Sequence, residues 1–529
     1  MSLPPDVIVI GSGFGGAVTA CRLAEAGYRV VVLERGRRWE PSTFPRALGD
    51  AWLWDQAHPE RRNGWLDMRM LRRVAVAQGA GVGGGSLIYA NVSIEADPSV
   101  FEQGWPAEIT HDELRSHYET AGRMLGVATI PRQQWPARTA LMAEAARNVG
   151  HGERFATVEQ AVTFDPTWSP AEPGAYDPAR SRRFTNAQGR EQGTCVHLGE
   201  CSIGCPVLAK NTLDLNYLAR AEATGADVRP LTVVRSIGTT ADGYEVRLER
   251  IEGRRLVASS ETARIVIVAA GSLGSTELLL RSRDVTRTLP GLPAGLGKGW
   301  STNGDFLTIG WHGDRDVAPT RGPTITSAID FRDGSQGPPF VIEDGGFPDL
   351  LDAYRRGRHD RFSPWRRRRL LDRTVRRLVS DDVGAVEHVM PWFSQGRDAA
   401  DGTMRLRPRW GFFGAPGLTI DWDVRASRPT IEAIIAMHRQ LAEATDGKPI
   451  LPATWRLASY LITPHPLGGC RMGTDPERHV VDHGGEVFGH RNLFVADGSI
   501  MPTALGVNPS RTIAALAERI AAGIVAGGR

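Results

Sequence analysis

A chain of 529 residues exceeds one ordinary domain, and its 41% hydrophobic and 23% charged content is that of a globular protein with a large core. The formal charge of +3 is small for this length and gives nucleic acid no reason to bind. No apolar run reaches the roughly eighteen residues of a membrane span, no signal peptide precedes "PPDVIVIGSGFGG", and five cysteines suit a reducing compartment, so the expected location is the cytoplasm.

The first predicted element is a buried parallel strand, "DVIVI" (6–10), short, β-branched and without alternation. "GSGFGG" follows, with Gly11, Gly13 and Gly16 in G-x-G-x-x-G spacing, and "AVTACRLAEAG" shows helical periodicity up to Gly27. A second strand, "YRVVVLERG", ends on Glu34. The three elements make a βαβ unit whose glycines admit a pyrophosphate to the helix N-terminus, while Glu34 suits a ribose diol. The unit by itself fits NAD or FAD, and a glycine turn without ligand is the plainer alternative.

Next comes a glycine-dense loop, "QGAGVGGGSLIYANVSIEADP" (78–98). It reads as neither helix nor central strand, and its amides can approach a flat or phosphorylated ligand. "CVHLGECSIGC" then gathers Cys195, His197, Cys201 and Cys205. Four such groups could close a tetrahedron, but the spacing lacks the usual metal-ligand pairs; packing thiols are expected and no metal is predicted.

"ARIVIVAAGSLGSTELLLRS" (263–282) repeats the pattern of strand, small-residue turn and helix, without an acid for a ribose. Residues 355–377, "RRGRHDRFSPWRRRRLLDRTVRR", form a basic amphipathic stretch. It is either a solvated face of a substrate domain or a contact with an anionic membrane surface, peripheral to the inner face. In "TPHPLGGCRMG" (463–473) two prolines stiffen the backbone around His465, and Gly468 and Gly469 let another chain or a ligand come close, with room for the flavin expected there. "RNLFVADGSIMPTALGVNPSRTIAALAERIA" (491–521) is a strand ending in Asp497–Gly498, a turn and a helix. A βαβ unit at one end of the chain and a strand–Asp–Gly–helix at the other would bracket one long ligand, which favours FAD. Asp497 would meet its ribityl hydroxyls or pyrophosphate-bound water, or else cap the final helix.

Three of these segments, "GAGVGGGSLIYANV", "AAGSLGSTELLLRS" and "HPLGGCRMG…LFVADGSIMPTALGVNPSRTIAALAERI", resemble the glucose–methanol–choline (GMC) oxidoreductase family. With "CPVLAKNTLDLNYL" they are most similar to its bacterial cholesterol oxidase branch. The resemblance implies an α/β fold: an FAD-binding Rossmann-like parallel-sheet domain with an inserted α+β substrate domain. Residues 1–105, 195–305 and 455–529 would form the discontinuous FAD domain, and 106–194 and 306–454 the substrate domain. It also implies noncovalent FAD, touched by Gly11, Gly13, Phe14, Gly15, Gly16, Glu34, Gly84, Gly85, Ser86, Asn91, Val234, Gly271, Asp497, Gly498, Asn508 and Pro509. His465 matches the catalytic base and Asn508 the second polar partner beside the flavin N5. Ala80 and Tyr89 depart from the family, which has arginine and asparagine there. Glu343 or Asp352 would have to serve as the isomerising carboxylate of the cholesterol oxidases.

The expected reaction is oxidation of a hydrophobic alcohol, a sterol-type secondary alcohol in particular. Electrons would pass to O2, giving H2O2, or to a quinone or other acceptor. A reading from another class is a noncatalytic lipid-binding flavoprotein. Alcohol oxidation asks for a base whose pKa lies near working pH and a donor for the oxygen as its charge develops, which a neutral histidine and an asparagine supply.

Overall fold

Five short strands line up in parallel in the order Asp227–Arg229, Val30–Leu33, Val7–Ile10, Ile265–Val268, Leu493–Val495. The three central ones are buried along their whole length, as continuous aliphatic runs require when both faces of a sheet are covered. In the computed structural model, residues 4–47, 49–313, 315–349, 383–407 and 417–528 are described. The basic segment 355–377 and Asp352 lie outside them.

The register pairs Val7 with both Val30 and Ile265, so the carboxyl ends of neighbouring strands lie level and release Gly11, Glu34 and Ala269 along one edge. The helix expected from Ala17 begins earlier, at Phe14, and runs to Glu25. Gly15 and Gly16 are thus its first turn, because only a glycine can press this close to the backbones of Ala496 and Gly11. The last helix, Ser510–Ala526, lies beside the first and is tied to it by Arg22 and Glu518 at 2.6 Å. The two ends of the chain therefore build one structure.

Gln78 and Gly79 close the strand Val74–Gly79, which is the middle one of three, between Leu66–Met70 and Leu461–Thr463. The apolar run before the glycines carries the strand into the loop. Asp497 does not cap the final helix, which starts after Pro509; it caps the short turn Gly498–Ile500 by accepting from Ser499 N at 2.8 Å.

A six-stranded sheet stands against this unit, built from Phe155–Thr157, Phe306–Trp311, Ser327–Phe331, Phe340–Asp344, Val389–Gly396 and Lys448–Ile450. Its pleat sorts two faces. Glu343, Phe393 and Leu307 pair in one row and share a face. Ile342, Ser394 and Phe306, one step along, share the other. The second face is covered by the helix Arg428–Glu443, whose buried His438 bridges Thr308 (3.0 Å) and Ser394 (2.7 Å).

An ion pair between Arg138 and Asp344, 3.2 Å apart and both with fully buried side chains, locks this sheet to the loop before Thr324. Arg138 also donates to the carbonyls of Arg321 and Pro323, and Asp344 accepts from the amides of Thr326 and Ser327. Removing one partner leaves a buried charge uncompensated, so Arg138→Met is expected to destabilise the fold by about 3–5 kcal/mol. A melting temperature within a degree of the parent's would contradict this.

Candidate active site

Between the carboxyl edge of the parallel sheet and the first face of the six-stranded sheet lies a cavity of about 1100 Å³. That exceeds the ~300–1,000 Å³ of an ordinary small-molecule pocket. Gly11, Gly13, Phe14, Gly15 and Glu34 line it at one end. A Cβ on Gly15 would stand 1.5 Å from the Ala496 carbonyl oxygen, whereas one on Gly13 would meet nothing within 4 Å. Gly15 is therefore a packing requirement, and Gly13 leaves its open side to the cavity. Gly85 is likewise open. The first helix has no side-chain cap, so its leading amides remain available to an anion. Glu34 is buried and accepts from Ser12 N (3.1 Å), Ser12 Oγ (2.6 Å) and Gly36 N (2.8 Å), which fixes its carboxylate at the end of the second strand.

Val234, Gly271, Gly498 and Pro509 also line the cavity. Asp497 does so too, with Oδ2 held by Gly271 N at 2.8 Å and Ser275 Oγ at 2.5 Å; burial pushes its carboxyl up. An open glycine cradle, an uncapped helix and a buried acid on each flank suit a long dinucleotide. Gly16, Ser86 and Asn91 stand off the wall. Gly16 packs on the Gly11 carbonyl, Ser86 Oγ ties Gly83 O (2.7 Å) to Leu213 N (3.1 Å), and Asn91 is buried with no side-chain partner among the described residues.

His465 and Asn508 line the same cavity, with Pro464, Pro466, Phe393, Leu307, Ile325 and Phe347. The strand Leu461–Thr463 pairs in parallel with Val74–Val76 and brings His465 to the cavity as it ends. The prolines are only part of what holds the ring. His465 Nδ1 lies 2.8 Å from Asp305 Oδ1, and its backbone amide donates to Thr463 Oγ1 at 3.0 Å. The expected room around Gly468 and Gly469 goes to the protein's own chain: their missing Cβ atoms would collide with Gly299 O and Met404 Cε. Burial pulls the His465 imidazole down, but Asp305 and, beyond it, Glu343 outweigh this and hold its pKa above the ordinary value.

Asn508 Nδ2 donates to Glu343 Oε2 at 3.4 Å, and Gln395 Nε2 donates to the same oxygen at 3.0 Å. Asn508 Oδ1 is buried with no partner among the described residues. Burial pushes Glu343 up to about 7. It sits behind Asn508 instead of on the cavity wall.

The two departures from the family have local explanations. Ala80 is fully enclosed with Trp54, Val233 and Ile251, where a long side chain has no room. Tyr89 donates to Asn211 O at 2.7 Å and sets its ring edge-on to Phe14. Lys210, whose pKa burial lowers to about 7, braces the glycine loop by donating to Leu87 O and Tyr89 O, each at 2.9 Å, and to Cys201 O at 2.7 Å. Cys195, Cys201 and Cys205 are free thiols, two of them packed among Val162, Val196, Leu198, Val207 and Ala209. Asp305 had no sequence signal, because nothing near "STNGDF" points to a residue 160 positions away.

A dinucleotide cradle opening onto a histidine, an asparagine and an apolar wall is the arrangement of a flavin-dependent alcohol oxidoreductase. The chain belongs to the GMC oxidoreductase family and is an FAD-dependent enzyme acting on CH–OH donors. Residues 398–517 match the GMC oxidoreductase model and residues 9–39 that of an NAD(P)-binding Rossmann-like domain. The chain is 33% identical to a cholesterol oxidase of Acinetobacter baumannii, covering 97% of this chain and 93% of that one. It is 35% identical to a cholesterol oxidase of Mycobacterium tuberculosis, with 98% and 90% covered. Pyridoxine 4-oxidase from Mesorbium loti shares the fold, with a TM-score of 0.64 at 19% identity over 98% of this chain and 99% of that one. These relationships give no support to a noncatalytic lipid-binding protein. Among the described residues, no helix is long and apolar enough to cross a membrane.

Proposed function

We propose that this enzyme oxidises a hydrophobic alcohol, sterol-type secondary alcohols above others, to the carbonyl, with noncovalent FAD and with O2 as the final acceptor, releasing H2O2. One observation carries the reading: His465 and Asn508 share a wall with the dinucleotide cradle on one side and Leu307, Ile325, Phe347 and Phe393 on the other. Bound FAD supplies the acceptor for the carbinol hydride. His465 takes the hydroxyl proton at Nε2, which has no partner among the described residues, and Asn508, with one N–H on Glu343, donates the other to the oxygen as its charge grows. The apolar face excludes water and holds a rigid hydrocarbon by burial alone, worth about 25 cal/mol per Å². The relatives named as cholesterol oxidases support a sterol in that place. The division into an FAD domain of 1–105, 195–305 and 455–529 and a substrate domain of 106–194 and 306–454 belongs to the same proposal.

Anaerobic mixing with sterols, long-chain and aryl alcohols and sugars tests it. Sterols should bleach the flavin fastest, and air should restore the yellow colour with one peroxide per turnover. Reduced enzyme that persists in aerated buffer but is reoxidised by a quinone would make it a dehydrogenase instead. Acid precipitation should release the flavin to the supernatant; a coloured pellet would mean a covalent bond.

A further inference from the structure

Two carboxylates face the His465 imidazole among the described residues: Asp305, in the turn before the strand Phe306–Trp311, and Glu343, in the strand Phe340–Asp344. Only Asp305 touches the ring. Its Oδ1 lies 2.8 Å from Nδ1, while Oδ2 accepts from Thr463 Oγ1 at 2.6 Å and from His465 N at 3.3 Å. The Asp305 side chain is fully buried and that of His465 is 15% exposed, so the acid stands on the protein side of the ring and the far nitrogen on the cavity side.

We propose that Asp305 is the positioning residue of the catalytic histidine: it fixes the tautomer with the proton on Nδ1, keeps Nε2 bare, and stabilises the imidazolium that forms. The inference rests on His465 being the base. Two donors on Oδ2 favour the ionised acid, and an ionised carboxylate can only accept on Oδ1, so Nδ1 carries the proton. When the alcohol reacts, its O–H bond breaks and an Nε2–H bond forms. The Nδ1–H stays where it is, and its hydrogen bond to Asp305 becomes charge-assisted. No proton passes to Asp305. The distance also limits ring rotation, which matters because a base must meet the substrate hydroxyl within hydrogen-bond reach.

Asp305→Asn makes the inference sharp. Thr463 and the His465 amide both donate to Oδ2, so the amide oxygen takes that place and the NH2 turns to Nδ1. It then donates to Nδ1, which moves the ring proton to Nε2 and leaves no lone pair for the alcohol. Anaerobic flavin bleaching by a sterol should slow about 10²- to 10⁴-fold, as losing or misorienting a general base does. The rising limb of its pH profile should shift toward acid, since a carboxylate that favours the imidazolium is gone. Glu343 also favours the imidazolium, so Glu343→Gln is run beside it to separate the two. FAD absorbance and its reduction potential should not move.

A double-mutant cycle decides between positioning and mere structural support. In a His465→Ala background, Asp305→Asn should cost no further rate, because it acts only through the ring. Multiplied losses, or a wild-type rate and pH limb in Asp305→Asn alone, would overturn the inference while the assignment of His465 stands. A wild-type rate in His465→Ala alone would instead overturn that assignment. Should Asp305→Asn lose FAD, Thr463→Val removes one donor from the same carboxylate. It should slow bleaching about fivefold, the worth of one hydrogen bond, and displace the limb; no change in either would also overturn the inference.

Discussion

His465→Ala is expected to fold, bind FAD and bleach it with alcohol about 10²- to 10⁴-fold more slowly than the parent. The fold survives because the ring adds little to the core. Its loss leaves Asp305 without one partner, but Thr463 Oγ1 and the backbone amide of residue 465 remain, and a buried carboxyl can take up a proton instead of staying charged. Asn508→Ala should cost about 10²- to 10³-fold, as losing one donor to a developing oxyanion does. Both contacts strengthen as the proton departs, so substrate affinity should change far less than the rate of reduction. The controls are other histidines close in sequence. His479 Nδ1 lies 3.1 Å from Asp475 O, His483 accompanies Arg519, and His490 packs away from the cavity. Their alanine variants should keep most of the activity. Parent-like bleaching in His465→Ala, with a loss in one of these controls, would remove the histidine from the chemistry.

The second large effect concerns the cofactor, and here two neighbouring glycines should behave differently. Gly13→Val places its side chain in open space that faces the cavity. It should therefore give a folded protein that purifies colourless. A dinucleotide pyrophosphate pushed off the helix N-terminus loses charge-assisted N–H contacts worth about 1.5–3 kcal/mol each. Two lost contacts weaken FAD about 10²- to 10⁴-fold. Gly15→Val would instead drive Cβ into the Ala496 carbonyl, 1.5 Å away, where no flexible side chain can yield. It should yield insoluble protein or a sharply lower melting temperature. Fluorescence titration of added FAD and a thermal melt separate the two outcomes. A yellow Gly13→Val protein of parent affinity would show that the ligand does not approach this backbone.

Much of the nucleotide end was legible because its signals are local. A strand, a glycine turn, a helix and a second strand follow one another within residues 6–34, so their order alone places Glu34 near the turn. The same holds for Asp497–Gly498, which follows its strand directly. His465 was conspicuous because two prolines and a glycine pair surround it, although the glycines proved to serve chain crossings. The closeness of the two chain ends was only an inference from how long the ligand must be. It became contact when the first and last helices packed together.

Groups that lie far apart in the chain are paired only by the packing of the fold. Asp305 meets His465 across 160 residues, and Glu343 meets Asn508 across 165. Neither acid carries a pattern around it, since a carboxylate beside a strand is ordinarily a surface residue. Glu343 shares a row with Phe393 and Leu307 only because three strands from separate parts of the chain pair in that register. A shift of one residue would turn it to the helix-covered face. The strand, glycine turn and helix at the cavity's far end follow from short-range glycine and strand chemistry, which residues 6–34 carry among themselves. The ring orientation of the histidine and the polarity behind the asparagine were left to the packing of one sheet against another, where no local residue pattern reaches.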